Sequence, residues 1–149
     1  MKTVELYTDG ACSGNPGLGG YCAILIYNGH EKVISGSQAD TTNNRMEVLS
    51  VIRGLEALKE PCFVNVYSDS QYVVEAFNAG WISSWQMNGW KNASNKPVKN
   101  VDLWQSLLEL IKTHSVTFIK VKGHADNEYN NRCDKIAVEE YKKLQNQNT

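Results

Sequence analysis

The chain contains no apolar run long enough to cross a bilayer, so no membrane-spanning helix is expected. A strand pattern begins almost at the first residue, and no signal peptide is expected. The four cysteines, Cys12, Cys22, Cys62 and Cys133, are scattered without a Cys-x-x-Cys pair, which argues against a zinc site and fits free thiols in a reducing cytoplasm. The glycine-rich stretch 10–20 is not followed by Gly-Lys-Ser/Thr, so it is not a phosphate-binding P-loop. There is no internal repeat, no linker and no low-complexity stretch beyond a polar tail from Gln145 to Thr149. No long apolar stripe is left over for a partner subunit, so a monomer is expected. What remains is one domain over 1–149, long enough for a sizeable core and ordinary in apolar content.

The net charge of −1 hides an asymmetry. Residues 1–80 carry 5 Lys/Arg against 9 Asp/Glu, residues 81–122 carry 6 against 2, and residues 123–149 carry 4 against 5. A basic segment in a near-neutral chain points to a polyanion partner, although a solvated lysine surface reads the same way.

The order of elements gives the architecture. Residues 3–9 alternate as a strand, 10–20 form a glycine-rich loop whose backbone is expected to lie close to something, and 21–27 form a second strand. Asn28-Gly29 is a hairpin signal that returns the chain as a third strand over 31–38. Met46, Leu49, Ile52, Leu55 and Leu58 recur at helical spacing until Pro61. Then come a strand over 62–68, a helix over 70–79 ending at Gly80, a tryptophan-punctuated segment over 81–99 with one short helix, and a helix over 101–112 with Asn100 as its N-cap. A strand over 116–121, a loop at Lys122-Gly123-His124-Ala125 and a helix over 128–143 complete the chain. This is an α/β pattern: a mixed five-stranded sheet, three antiparallel strands then two parallel ones, flanked by helices. The helical crossover makes strands four and five parallel, and sites in such sheets lie at the carboxyl ends of the strands.

Two of those ends resemble one another. Leu6-Tyr7-Thr8-Asp9 and Val66-Tyr67-Ser68-Asp69 both read as β-branched and aromatic runs closed by a carboxylate. If the strands are neighbours in phase, Asp9 and Asp69 share one space, and their repulsion calls for a shared proton or a cation. Glu47 and Asp134 are the other candidate acids. Each has an ordinary explanation as well: a turn at Asp9-Gly10, a capping box from Asn44 to Glu47, an N-cap at Asp69, a solvated helix face at Asp134. Together, four carboxylates with at most one histidine suit a hard cation such as Mg²⁺ or Mn²⁺.

Six stretches resemble, in order over roughly residues 3–142, the bacterial type 1 ribonucleases H. They are Thr8-Asp9-Gly10-Ala11-Cys12-Ser13-Gly14-Asn15-Pro16-Gly17, Thr41-Thr42-Asn43-Asn44-Arg45-Met46-Glu47, Ser68-Asp69-Ser70-Gln71-Tyr72-Val73, the segment from Gly89-Trp90-Lys91 through Lys96 to Trp104, Val121-Lys122-Gly123-His124-Ala125, and Asn131-Arg132-Cys133-Asp134. The resemblance implies the ribonuclease H-like fold and two Mg²⁺ ions held by Asp9, Glu47, Asp69 and Asp134. It implies hydrolysis of the RNA strand of an RNA/DNA hybrid to 5′-phosphate and 3′-hydroxyl ends, with His124 assisting proton transfer and product release. It also implies groove and strand contacts from Cys12, Asn15, Asn43, Asn44 and Gln71, sugar support from Trp81, and a DNA-strand phosphate pocket from Thr42, Arg45 and Asn100.

The chain departs from the pattern at one place. Some members carry a Lys/Arg cluster where this chain reads Trp85-Gln86-Met87-Asn88-Gly89, leaving Lys91, Lys96 and Lys99. Two other functions stay open at this point: another nuclease or strand-transfer enzyme of the same fold, and a non-catalytic hybrid-binding module. The glycine-rich loop and the Trp-Lys segment weigh against the first, and the presence of all four acids against the second.

Overall fold

The alternating pattern of the first 41 residues folds as three long antiparallel strands, β1 (Lys2–Cys12), β2 (Gly17–Tyr27) and β3 (His30–Thr41). The structure is a computed structural model that describes residues 1–122 and 127–147. Asn28 and Gly29 both take positive φ, 51° and 76°, which is the backbone twist a two-residue hairpin between β2 and β3 requires. Helix α1 (Asn43–Glu56) follows, then β4 (Cys62–Ser68), α2 (Gln71–Asn78), α3 (Trp81–Met87), α4 (Val101–Ile111), β5 (Ser115–Lys120) and α5 (Glu128–Gln147).

The sheet order is β3-β2-β1-β4-β5. Strands β1, β4 and β5 run parallel, so the mixed sheet expected from the sequence is present. Its main core lies between the sheet and α1, α2 and α4, with Leu6, Val64, Val66, Met46, Leu55 and Trp104 all buried. A smaller cluster on the opposite face joins Cys22 and Ile24 of β2 to Cys133 and Ala137 of α5. All four cysteines are free.

The glycine-rich stretch is less of a loop than its composition implies. Gly10 lies inside β1 and Gly17, Gly19 and Gly20 inside β2, leaving only 13–16 between the strands. The close approach expected of these glycines is made by helices. A Cβ on Gly10 would collide with the α1 backbone at Met46 and Glu47, and one on Gly20 with the Ala137 carbonyl of α5. Each glycine therefore lets a helix sit directly on the sheet.

Some boundaries also differ. The segment from Gln145, expected as a polar tail, is helical through Gln147 because α5 continues. Asn100 precedes α4 in the left-handed region (φ 63°) and makes no side-chain cap. Its amide is engaged elsewhere.

Candidate active site

The pairing of β1 with β4 ends at Tyr7 opposite Tyr67, whose rings stack at 4.5 Å with 11° between planes. Beyond that point β1 continues against β2 alone, through Cys12. The sheet opens there, at the carboxyl ends of two neighbouring parallel strands, and Asp9 and Asp69 face each other across the opening. Helix α1 adds Glu47 from one side and α5 adds Asp134 from the other; all four line one cavity of about 370 Å³. One carboxylate oxygen each from Asp9, Glu47 and Asp69 lie within 4.8 Å of one another. Asp134 borders the same cavity without belonging to that tight group.

The local explanations for two of these acids do not hold. Thr42, not Asn44, caps α1, its Oγ1 accepting from the Arg45 N–H at 3.2 Å. Glu47 is thereby free of capping and is buried. Ser70, not Asp69, caps α2 by accepting from the Val73 N–H at 3.2 Å. Asp69 is left to point into the cavity.

Electrostatics single out the deepest pair. The Gly10 N–H donates to both Asp9 Oδ1 (2.9 Å) and Glu47 Oε1 (3.1 Å). That is one neutral donor for two carboxylates. Burial pushes Asp9 up to about 7 despite its hydrogen-bonded contact with Glu47, and the charges of Asp69 and Asp134 add to the rise. Burial, and then the charge of Asp9, also raise Glu47 well above the usual carboxylate range. Among the described residues Glu47 Oε2 is buried with no hydrogen-bond partner. A buried, orphaned carboxylate oxygen beside two other carboxylates fits a hard divalent cation, which would satisfy the oxygen and offset the repulsion together. The donor set is oxygen only, so it does not fit a soft metal.

A second cavity, of about 450 Å³, adjoins the first and shares Asn43 and Asn44 with it. Cys12, Asn15, Thr42, Lys99 and Asn100 complete its wall. Asn15 Oδ1 accepts from the Asn43 N–H at 2.8 Å, which satisfies an orphan donor of α1 and turns the amide NH₂ of Asn15 outward. Gln71, at the start of α2, borders the carboxylate cavity and is exposed. Trp81 is half-buried, 6.2 Å from Trp85, and both pack against the main core; Trp85 lies in turn 5.9 Å from the buried Trp104.

Arg45 reaches Asn100 from outside the amide cavity. Its side chain lies in the groove between α1 and α4 and does not line the amide cavity. There Asp102 takes it end-on, at 3.0 and 2.8 Å, and Nη1 also donates to Asn100 Oδ1 at 3.1 Å. Among the described residues Lys99 is the cation on the cavity wall. Tyr72, which sequence reasoning assigned no role, borders the carboxylate cavity. His124 lies outside the described residues.

The sequence pattern of the RNase H family matches residues 1–142. The chain belongs to the RNase H family. It is 60% identical over 148 residues to the Ribonuclease H of Thermoanaerobacter sp. (strain X514), covering 99% of this chain and 96% of that one. It is 62% identical over 136 residues to the Ribonuclease H of Chlorobaculum parvum, covering 91% and 93%. Among solved structures it resembles LC9-RNase H1, described as a type 1 RNase H with the type 2 active-site motif, with a TM-score of 0.85 and 27% identity over 96% of this chain and 74% of that one. LC11-RNase H1, solved in complex with an RNA/DNA hybrid, shares the fold with a TM-score of 0.72 and 24% identity, covering 95% of this chain and 99% of that one. As an RNase H the chain is a hydrolytic nuclease acting on RNA. Among the described residues no helix is long and apolar enough to cross a membrane.

Proposed function

We propose that the chain, as one catalytic unit over 1–149, is an endoribonuclease that hydrolyses the RNA strand of RNA/DNA hybrids in the cytoplasm, using Mg²⁺ and working as a monomer. The observation that carries this reading is the gathering of Asp9, Glu47 and Asp69 within 4.8 Å, in a cavity that adjoins an amide-lined one. Asp9, Glu47, Asp69 and Asp134 would hold the metal. Two Mg²⁺ ions held there, or Mn²⁺ in their place, would supply Lewis-acid chemistry for an in-line displacement at phosphorus that leaves 5′-phosphate and 3′-hydroxyl ends.

The chain's own residues do the rest. Gly10 keeps Asp9 and Glu47 aimed at one point with its single N–H. The carboxylates hold the site and attack nothing. Asp9, poised near 7, is partly protonated at neutral pH in the metal-free protein and would have to be ionised to hold a cation. Cys12, Asn15, Asn43, Asn44 and Gln71 make groove and strand contacts, and short amides in the minor groove can read the 2′-hydroxyls that tell RNA from DNA. Thr42, Arg45 and Asn100 serve a phosphate of the DNA strand, Arg45 acting through Asn100. Trp81 supports a DNA sugar. His124 assists proton transfer, so His124→Ala slows turnover well short of the loss in Asp9→Asn.

The test is a substrate panel. An RNA/DNA hybrid, an RNA duplex and a DNA duplex are incubated with Mg²⁺, and product ends are typed by ligation and phosphatase sensitivity. Cleavage confined to the RNA of the hybrid, with 5′-phosphate ends, supports the reading. Equal cleavage of RNA duplex, or 3′-phosphate ends, contradicts it.

A further inference from the structure

Asn100 fits its surroundings in one orientation only. The Arg45 guanidinium can donate and never accept, so the amide atom 3.1 Å from Nη1 is the oxygen. The amide nitrogen then faces Tyr72 and donates to its hydroxyl oxygen at 3.1 Å. That same oxygen accepts from Trp104 Nε1 at 3.2 Å, and Trp104 is fully buried in the main core. On the other side, Arg45 is gripped end-on by both oxygens of Asp102, which leaves its fork little freedom to turn. Asn100 is thus held between two anchored neighbours. One is tied to a core tryptophan, the other to a carboxylate on α4.

This arrangement has a chemical result. With its oxygen claimed by Arg45 and one N–H by Tyr72, the amide has its second N–H left for the cavity that Asn100 lines. An amide offering a donor suits a phosphate oxygen, and one offering its carbonyl would repel it. Asn100 holds its place through a positive φ that asparagine tolerates, and its side chain does not cap α4. Tyr72 also borders the carboxylate cavity, so this one residue touches that cavity's wall and, through its hydroxyl, Asn100 on the wall of the other.

We infer that Tyr72 and Asp102 are positioning residues that act through Asn100 and Arg45 to present an N–H donor to one phosphate of the DNA strand. The inference rests on the proposed reading of the amide cavity as the seat of that phosphate.

The test measures binding, not cleavage. Affinity for a short RNA/DNA hybrid is read by fluorescence anisotropy in metal-free buffer, while single DNA-strand phosphates are replaced in turn by uncharged methylphosphonates. The wild type is expected to show one position whose replacement weakens binding on the order of ten-fold, and Asn100→Ala to lose that sensitivity. Tyr72→Phe and Asp102→Asn should reduce it to about two-fold while retaining a cooperative melt. Asp102→Asn guards against a folding defect in Tyr72→Phe, and it removes a negative charge, so a purely electrostatic role would raise affinity at every position alike. Full sensitivity in both variants, with loss in Asn100→Ala, overturns the inference and leaves the phosphate seat standing. No sensitive position in the wild type removes the seat itself, and the inference with it.

Discussion

The rings of Tyr7 and Tyr67 stack at 4.5 Å, and this contact marks the register that sets Asp9 beside Asp69. Two residues beyond a matched pair on parallel strands are matched again in level. Because β1 and β4 part after this pair, the two carboxylates face open space instead of a ladder of hydrogen bonds. The carboxylate cluster is thus a consequence of where one strand pairing stops.

The first prediction concerns pH. Asp9 is raised to about 7 in the folded protein, against about 3.9 in an unfolded chain. Between those values the folded state keeps a proton that the unfolded state has lost, so metal-free stability falls as pH rises from about 4 to about 7 and stays low above. Asp9→Asn cannot ionise. It should raise the metal-free melting temperature at pH 8 by several degrees, a few kcal/mol at most, and change it little near pH 4. Thermal melts in chelator across that range check this, and a destabilised Asp9→Asn at pH 8 would contradict it.

Metal removal is the converse experiment. Mg²⁺ binds the folded state and offsets the repulsion among the carboxylates, so it should raise the melting temperature. The gain should be larger at pH 8 than at pH 5.5, where protons compete for Asp9 and Glu47. Glu47→Gln should lose most of the gain. Calorimetric titration at the two pH values gives the same information as an affinity, and a pH-independent affinity would count against carboxylate ligands.

Gly10 is the third test. A Cβ there meets the backbone of Met46 and Glu47, so Gly10→Ala must lift α1 from β1. The cost should be about 1–3 kcal/mol, with weakened metal affinity because Glu47 moves with its helix. Gly29→Ala, at a hairpin position with open space around it, is the control: it strains a turn with φ 76° and should leave metal binding intact. Equal metal affinity in Gly10→Ala and wild type would mean that the glycine serves packing alone.

The reduced protrusion leads to the fourth. Gln86, Met87 and Asn88 stand where some RNases H carry basic residues, and Met87 is 86% exposed. Fewer lysines near the hybrid release fewer counterions, so the slope of log affinity against log salt should be shallow. Substituting Lys at positions 86 and 88 should steepen it by roughly one unit per phosphate newly neutralised. A wild-type slope as steep as that of a fully basic member would contradict this.

Much of this geometry was legible in the sequence because it follows from short-range rules. Period-two strands, the Asn28-Gly29 hairpin and Pro61 placed the sheet and the acids. Less legible was anything set by packing between elements. The glycines of 10–20 read as a loop because glycine marks loops on average, yet Gly10 and Gly20 serve helix docking inside strands. Asn100 is the N-cap residue of α4 as its position before the helix implies, but its side chain bonds Tyr72 and Arg45 instead of capping the helix. His114 accepts the Cys62 N–H at 3.1 Å across the β4–β5 end of the sheet, a contact that no local pattern announces. The contact of Arg45 with Asp102 was not legible, since nothing local announces that a carboxylate on α4 will take its fork.

The central claim is that Asp9, Glu47 and Asp69 form the metal site of a hybrid-specific ribonuclease. Cleavage of an RNA/DNA hybrid labelled on each strand, with and without Mg²⁺, by the wild type and Asp9→Asn tests it most directly. The account predicts cuts in the RNA strand alone, lost without metal and lost in the variant even though that variant folds. Binding without cleavage at any Mg²⁺ concentration, or full activity in Asp9→Asn, would contradict it.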